Sequence, residues 1–396
     1  MGSGYRRLLG STWLSNLGDG MALAAGPLLL AELTRDPVLI AAAVLLQRLP
    51  WILFGLTAGA LADRLDRRRV VATGNRLRAV VIGALALAIG ADVISVWIAL
   101  VALFLLGTVE TFVDLTAGTL LPMAVEPDDL GVANARLMFG WQTLNQLAGP
   151  PLGAAVFAVG MAVPFAAQAV LVAVAAQLVA RMRLVRGYEP EPERRAMRAE
   201  IRDGMRWLWE HGPMRTLTLT IVSFNVTFGA AWAVLVLYAL ERLEMGDIGF
   251  GVLTAASAIG AIVGTVAYAA VDRRIGAANI MRVGLLVETA THLTLALTAT
   301  PAVAILALFV FGVHTGMWGT TTRTVRQRQI PLGLQGRVGG VYLLGMQGGL
   351  VVGTPIGGLL ARWWGLTAPF WFAFAGSAVI LLWIWRQLDA IASGDA

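Results

Sequence analysis

The stretch GALADRLDRRR at residues 59–69 separates two long apolar segments and sets how the rest of the chain is divided. A membrane span needs about 20 apolar residues, and the flanking segments 37–61 and 70–90 both reach that length. Charged side chains are costly in the hydrocarbon layer, so the charges between the two segments belong at a membrane surface. The sequence therefore predicts two membrane-spanning helices joined by a charged turn.

The composition extends this interpretation to the whole chain. Of 396 residues, 58% are hydrophobic and 14% are charged, with a mean hydropathy of +0.74. A soluble protein has about 25% charged residues. We therefore predict an all-α integral membrane protein. Twelve transmembrane helices are expected, at 8–33, 37–61, 70–90, 94–122, 134–159, 161–184, 214–240, 248–271, 277–299, 301–323, 337–361 and 365–386.

An internal repeat predicts two pseudo-symmetric six-helix halves. The longest loop, 185–213, separates an N-terminal half, 1–184, from a C-terminal half, 214–396. A shift of 209 residues carries Asn16, Gly20 and Glu32 onto Asn225, Gly229 and Glu241. Near helices 5 and 11 the shift is 204 and carries Gly149, Pro151 and Gly153 onto Gly353, Pro355 and Gly357. Both halves start with the same orientation, and such halves enclose a site near the membrane midplane.

The loop between the halves contains a predicted amphipathic helix, from about Glu193 to Glu210. Its apolar stripe comprises Met197, Ile201, Met205 and Leu208. Its basic side comprises Arg194, Arg195, Arg198, Arg202 and Arg206. Such a helix is expected to lie on the anionic cytoplasmic leaflet and to tether the two halves.

The arginine distribution predicts the orientation. With both termini cytoplasmic, only Arg35, Arg242 and Arg362 lie outside, Arg48 is mid-span, and the other Arg residues lie in or beside cytoplasmic segments. This is the positive-inside asymmetry of a multi-pass protein of the cell's cytoplasmic membrane. It also accounts for the sequence pI of 10.6 without a nucleic-acid partner.

Missing residue types exclude several activities. The chain has no Cys, and all its basic residues are Arg, so the lysine of a nucleotide-binding P-loop is absent. Its three His residues lack the spacing of a zinc protease. We therefore expect no nucleotide, no metal, no cofactor and no enzymatic activity.

The turn after helix 2 resembles the signature loop of the major facilitator superfamily. That resemblance implies that Gly59 allows a tight turn, that Asp63 caps and ion-pairs, and that arginines hold the cytoplasmic side closed. The residues assigned to this gate are Gly59, Asp63, Arg64, Arg67 and Arg68.

Further motifs are similar to the enterobactin-exporter and macrolide-efflux branch. They are SNLGDG at residues 15–20, Ile330-Pro331 and QGRV at residues 335–338. GPPLG at residues 149–153 resembles the antiporter motif of drug exporters, although Ala154 replaces its last glycine. Helix 4 lacks the arginine of many proton-coupled exporters and carries Glu110 and Asp114 instead.

Ionisable residues at mid-membrane depth are candidates for proton coupling, because each needs a compensating role. Asp19 could carry a proton or bind a cation, and it could at the same time form an ion pair with Arg48, which lies at similar depth. Arg48 is expected to be that partner, and the alternative for it is to bind an anionic group. Glu110 and Asp114 share a helical face, and two nearby carboxylates in a low dielectric tend to hold one proton between them. The alternative for these two is a gate that pairs with cytoplasmic arginines. His314 is either a titrating group or a neutral hydrogen-bonded one.

Other polar and aromatic residues are candidates for the substrate cavity, which the family resemblance places between helices 1, 4, 7 and 10. They are Asn16, Gln142, Asn145, Gln146, Asn225, Trp232, Trp318 and Gln347. For Gln142, Asn145 and Gln146, interhelical hydrogen bonding is the alternative. Glu288 and His292 are interpreted as a structural pair in a peripheral helix.

Together these features predict a secondary transporter, expected to be a monomer in the bilayer, that works by alternating access. The expected activity is proton-coupled export of an amphipathic small molecule, cationic or neutral and lipophilic, as in multidrug efflux. An uptake symporter or facilitator and a lipid flippase remain alternatives. A non-transporting scaffold is disfavoured, since it has little reason to keep buried carboxylates.

Overall fold

In the computed structural model, residues 2–182 and 197–393 are described, and within these ranges the regular elements are helices. Seven helices are long and apolar enough to span a membrane, and an eighth is added if a pair bent by 44° is one span. The other segments needed for twelve spans are present, as given below, and the all-helical membrane fold is confirmed.

The first six spans occupy residues 3–180. They are α1 (Ser3–Leu33), α2 (Pro37–Arg64), α3 (Arg67–Gly90), α4 (Val96–Ala117), α5 (130–159) and α6 (Val163–Ala180). Within α5, a π-helical segment, Trp141–Ala148, joins Leu130–Gly140 to Gly149–Val159. Two short turns, Leu121–Ala124 and the 3-10 turn Pro127–Asp129, precede α5.

The next six spans occupy residues 212–384. α7 consists of Gly212–Trp232 and continues, after its bend, as Leu235–Leu237 and the π turn Tyr238–Arg242. The 52-residue helix Gly246–Leu297 has non-helical backbone at Gly276, with φ 76° and ψ 161°. It is long enough for two passes, so we divide it there into α8 (246–275) and α9 (277–297). The others are α10 (Pro301–Gln329), α11 (Gln335–Trp364) and α12 (Ala368–Ile384), with the 3-10 turn Leu332–Leu334 before α11 and a short helix Leu388–Ser393 after α12.

The helices form two compact units. Unit 1 holds α1, α2 from residue 42 onward, α3 to α6 and Gly246–Ala255 of α8. Unit 2 holds Asp36–Ala41, α7, α8 from residue 256 onward and α9 to α12. The predicted domain boundaries in the loop 185–213 stay a prediction, since 183–196 lie outside the described residues.

Glycines bring helices together at matched positions of the repeat. In unit 1, a Cβ on Gly153 of α5 would lie 2.1 Å from the carbonyl oxygen of Met21 in α1. In unit 2, a Cβ on the matched Gly357 of α11 would lie 2.0 Å from the carbonyl oxygen of Ala230 in α7. Small residues allow this backbone approach between membrane helices. The repeat seen in the sequence thus corresponds to the α1–α5 contact in one unit and the α7–α11 contact in the other.

The π-helical segment in α5 has a local cause. Pro150 and Pro151 follow it after Gly149 and lack the N–H groups that would bond carbonyls about one turn earlier. A helix freed of these bonds can widen, and inserted π turns are one recognised result. Gly20 of α1 packs against this segment, since a Cβ there would lie 2.6 Å from the carbonyl oxygen of Asn145.

The amphipathic helix of the loop is present as Met197–Glu210, the linker helix. Residues 193–196 of the predicted helix, including Arg194 and Arg195, and the Arg198 side chain lie outside the described part. The linker helix packs on α11: a Cβ on Gly204 would lie 2.8 Å from the backbone of Arg337, which also pairs with Asp203 at 3.7 Å. Leu208 is buried in the core of unit 2, so part of the predicted lipid-facing stripe contacts protein instead.

We expect Gly353→Ala to lower the Tm of the purified protein, because the new methyl group meets the α7 backbone rather than a flexible side chain. Overpacking of this kind costs about 1–3 kcal/mol. Gly348→Ala in the same helix is the matched control, since nothing lies within 4 Å of its added Cβ. That variant should keep or slightly raise the Tm, as alanine favours helix over glycine. Equal melting of both variants would contradict the close packing of α7 and α11.

Candidate functional site

An arginine buried among the helices of unit 1 is the centre of the candidate site. Arg78 lies eleven residues after the start of α3, about 16 Å along the helix at 1.5 Å per residue. Only 2% of its surface is exposed. A guanidinium at this depth requires counter-charges within the protein.

Arg78 binds carboxylates from two other helices. Its Nη2 donates to Asp19 Oδ1 of α1 at 2.6 Å and to Glu110 Oε1 of α4 at 2.7 Å. Its Nη1 donates to Asn75 Oδ1, one turn earlier on α3, at 3.2 Å. Gln168 of α6 donates from Nε2 to the same Asp19 oxygen at 3.0 Å. We call these five residues the Arg78 centre, and it joins four helices of unit 1.

Glycines provide the space for this centre. A Cβ on Gly18, next to Asp19, would lie 3.0 Å from Cγ of Gln168, so α1 and α6 approach closely there. A Cβ on Gly74, one turn before Arg78, would lie 2.4 Å from Cγ2 of Val113 in α4. Because these helices lie so close, the arginine reaches both carboxylates directly.

The charges of the centre do not cancel. Two carboxylates face one guanidinium, so their full ionisation leaves one negative charge among membrane-spanning helices. The side chains of Asp19 and Glu110 are 25% and 29% exposed, whereas that of Arg78 is 2% exposed. The carboxyl groups, and not the cation, are therefore the members that solvent can reach.

The expected Asp19–Arg48 pair is wrong, because Arg78 occupies that position. α1 packs mainly along α5 and α6, and α3 packs along α4 and α6, which places the α3 arginine beside Asp19. Matched depth on α1 and α2 did not bring the two side chains together. Arg48 itself is exposed and forms no ion pair with the described residues.

Glu110 and Asp114 do not form the expected hydrogen-bonded pair. Glu110 binds Arg78, while Asp114, one turn further along α4, is exposed. Asp114 remains close enough for its charge to act on Arg78. Arg78 thus separates the two carboxyl groups by binding one of them.

The polar cavity candidates are spread over several local environments. Asn145 is buried in the π-helical segment and accepts a hydrogen bond from Gln146 at 2.5 Å. Asn225 donates to Ile221 O of its own helix at 2.7 Å. Asn16, Gln142 and Gln347 are half-buried. Their place in a substrate cavity stays a prediction.

The gate residues are described only in part. The side chains at Gly59, Asp63 and Arg64 lie outside the described residues. Arg67 donates to Met123 Sδ at 3.6 Å, and Arg68 donates to Met182 O at 3.0 Å. Asp66 caps α3 by accepting from the Arg69 N–H at 3.2 Å, so a capping aspartate of this turn is Asp66.

Two further candidates belong to an aromatic cluster in unit 2. Trp232 of α7 stacks with Phe228 at 4.2 Å between ring centroids and lies 5.0 Å from Phe311 of α10. Trp318 of α10 meets the edges of Phe224 and His314, at 6.4 and 5.7 Å. Aromatic side chains of α7 and α10 therefore pack against one another in unit 2.

An open apolar pocket of about 530 Å³ lies against α1 and α5 in unit 1. Its lining is Leu9, Trp13, Val132, Ala135, Arg136 and Phe139. Trp13 donates from Nε1 to Arg136 O at 3.2 Å and lies 6.4 Å from Phe139 between ring centroids. A Cβ on Gly140 would lie 2.2 Å from that indole nitrogen, so glycine at this position allows the indole to lie there. The volume is within the range of small-molecule sites.

The sequence analysis missed Arg78, Asn75 and Gln168. Arg78 lies near the middle of the predicted span 70–90, and that depth was a usable signal. The cluster of Arg67, Arg68 and Arg69 at the start of the span made all arginines of this helix look like surface charges. Asn75 and Gln168 gave no separate signal, since an amide in a span usually bonds a neighbouring helix.

Comparisons with known proteins agree with this fold. The sequence model of the family described as transmembrane secretion effector matches residues 3–391. No curated protein sequence matches significantly.

Solved structures of similar fold include three transporters. The nucleoside transporter NupG is 12% identical, with 98% of this chain and 99% of that chain covered and a TM-score of 0.76. A bacterial homologue of the iron transporter ferroportin is 17% identical, with 97% of this chain and 98% of that chain covered and a TM-score of 0.77. A bacterial homologue of the human lysosomal transporter Spinster is 13% identical, with 99% of this chain and 96% of that chain covered and a TM-score of 0.73. At these identities the likeness shows the fold alone. Family and fold are those of membrane transporters, which are not enzymes in general. The chain belongs to the transmembrane secretion effector family, a multi-pass membrane protein of the major facilitator kind.

Proposed function

We propose that the chain is a proton-coupled exporter that moves an amphipathic small molecule, cationic or neutral and lipophilic, out of the cell. The observation that carries the proposal is the Arg78 centre, where two partly accessible carboxyl groups share one buried cation. Proton uptake by one carboxyl group would remove the excess negative charge, and proton loss would restore it. Such a centre has two charge states that differ by one proton.

The link from proton to conformation runs through Arg78. Asp19 and Glu110 hold the same Nη2 from different helices. Protonation of either carboxyl group weakens its bond to the guanidinium, because the attraction between the two opposite charges is lost. The strength of the contact that joins α3 to α1 or α4 therefore depends on whether a proton is bound. Alternating access requires this dependence at a coupling site.

The cargo class follows from charge and from apolar surface. Asp114 and one carboxyl group of the Arg78 centre carry negative charges that have no full counter-charge among the described residues of unit 1. These two negative charges compare with one positive charge, that of the exposed Arg48. The apolar pocket beside Trp13 and the aromatic cluster around Trp232 offer surface for a lipophilic body. Similarity to the enterobactin-exporter and macrolide-efflux branch supports export rather than uptake, with the turn 59–69 as the cytoplasmic gate.

We expect Arg78→Gln to lower the Tm of the purified protein by several degrees, since it leaves two carboxylates without their cation. Breaking a buried ion pair costs about 3–5 kcal/mol. Arg78→Lys should recover only part of the loss, because an ammonium group lacks the planar fork of a guanidinium. Arg76→Gln, at an exposed position two residues earlier, is the control and should leave the Tm unchanged. Arg78→Gln melting like Arg76→Gln would remove the centre from the proposal.

We expect Asp19→Asn and Glu110→Gln each to abolish cargo accumulation driven by a pH gradient, since each removes one carboxyl group that could bind the proton. Exchange of cargo down its own gradient should survive. The measurement uses the full chain in proteoliposomes, with ethidium as a fluorescent lipophilic cation.

Asp128→Asn, at an exposed carboxylate of the same unit, controls for a general charge effect. Gradient-driven accumulation that persists in both site variants would exclude proton coupling at this centre. If proteoliposomes with the wild-type protein move ethidium no faster than vesicles without protein, this cargo class is excluded.

A further inference from the structure

A second group of ionisable side chains is buried in unit 2. Glu288 and His292 lie one turn apart on α9, and His314 lies on α10. Their exposed fractions are 8%, 0% and 6%. Glu288 Oε2 lies 3.1 Å from His314 Nε2, and Glu288 Oε1 lies 3.8 Å from His292 Nε2. Each carboxylate oxygen thus faces a different imidazole.

The packing of α9 against α10 gives the His314 ring a defined place. A Cβ on Gly284, one turn before Glu288, would lie 2.4 Å from His314 Nδ1. The helix α9 therefore leaves space beside one ring nitrogen and presents a carboxylate to the other. Such a fit holds an imidazole in one orientation.

The surroundings of the cluster are aromatic. Trp232 of α7 meets the edge of His292, and Phe311 and Trp318 of α10 meet the edge of His314. Along α9, the next charged side chain is Arg282, which pairs with Asp389. Tyr238 of α7 donates its hydroxyl to Leu295 O. Among the described residues, then, the ionisable groups that face the cluster are its own three.

No permanent cation balances Glu288, in contrast to the Arg78 centre. With one proton shared between Glu288 and His314, and with His292 neutral, the cluster has no net charge. Loss of that proton leaves one negative charge, and gain of a second leaves one positive charge. The net charge of the cluster therefore depends on bound protons alone.

His292 has an unmet bonding requirement. A neutral imidazole has one N–H donor and one acceptor nitrogen, and neither ring nitrogen of this buried side chain has a hydrogen-bond partner among the described residues. Its Nε2 lies just beyond bonding distance of Glu288 Oε1. A shift of about 1 Å would reach the usual length. Among the described residues no His, Asp and Glu group is arranged to hold a metal ion.

We propose that Glu288, His292 and His314 form a second proton-binding site, in which the Glu288 carboxylate passes a proton between the two imidazoles. As the Nε2–H bond of protonated His314 breaks, an O–H bond forms on Glu288 Oε2 and leaves His314 neutral. Rotation of the carboxyl group then turns this O–H toward His292, where the O–H bond breaks as an N–H bond forms on the unprotonated Nε2. The electron pairs stay on the atoms that release or accept the proton, so no further reactant is needed. The proposal rests on the proposed function only for the identity of the coupled ion.

The test is a histidine titration by NMR on the full chain in detergent. The chain has three His residues, so ring-labelled histidine gives three signals, assigned with His292→Asn and His314→Asn. His211 is the internal reference, since it lies before α7 and accepts from the Met214 N–H at 3.4 Å. We expect the His292 and His314 signals to move as the pH of the sample is changed.

Glu288→Gln should change both of these titration curves and leave that of His211 unchanged. Glu244→Gln, at an exposed carboxylate of the same unit, should change none of the three. If Glu288→Gln fails to fold, His292→Asn replaces it and must change the His314 curve. The proposal would be overturned if the His292 and His314 signals stay constant with pH, or if Glu288→Gln leaves their titration curves unchanged.

The titration separates this site from the Arg78 centre, because it does not depend on transport. Histidines that titrate together in a protein whose Asp19 and Glu110 variants stay coupled would sustain the second site and reject the first. If the histidine signals do not change with pH, and if the Asp19 and Glu110 variants lose proton coupling, the second site is rejected and the first is sustained.

Discussion

A guanidinium among membrane-spanning helices must find its counter-charges within the protein, since hydrocarbon offers none. Arg78 satisfies this requirement with carboxylates from α1 and α4, and Gln168 of α6 completes the arrangement. Arg78 therefore joins α3 to α1 and α4, and Gln168 joins α6 to the same aspartate of α1. A change in any one charge alters the contacts of all four helices.

The two units share a packing plan and differ in their polar chemistry. Gly153 against α1 and Gly357 against α7 make equivalent close contacts, as the internal repeat requires. Unit 1 buries a permanent cation with two carboxyl groups, whereas unit 2 buries one carboxyl group with two imidazoles. Duplication thus preserved the backbone approach of the helices while the buried polar groups diverged.

Much of the fold followed from the sequence, because bilayer thickness sets span length and charge marks span ends. The helices around the turn 59–69, the loop helix ending at Glu210 and the aromatic contacts of α7 and α10 were all predictable in this way. The depth of a side chain in the membrane was less informative about which side chain it pairs with. Asp19 and Arg48 share a depth, but the neighbour of a side chain depends on which helices pack together, and one sequence does not reveal that.

The same limit applied to the rest of the candidate site. Glu288 and His292 were paired from their spacing on one helix, and the shorter contact is to His314 of the adjacent helix. The π-helical segment was missed because it results from two missing N–H groups at Pro150 and Pro151 together with the approach of Gly20. Local propensity does not include such an approach between helices.

The linker helix has a consequence for how the polypeptide can be divided. Gly204 lies against the α11 backbone, Asp203 pairs with Arg337, and Leu208 enters the core of unit 2. The helix is therefore an integral part of the C-terminal body and not a neutral spacer. A polypeptide cut between residues 182 and 197 leaves this contact intact in the second fragment. A cut after residue 210 separates the helix from the surface it covers and exposes apolar side chains of α11 to water.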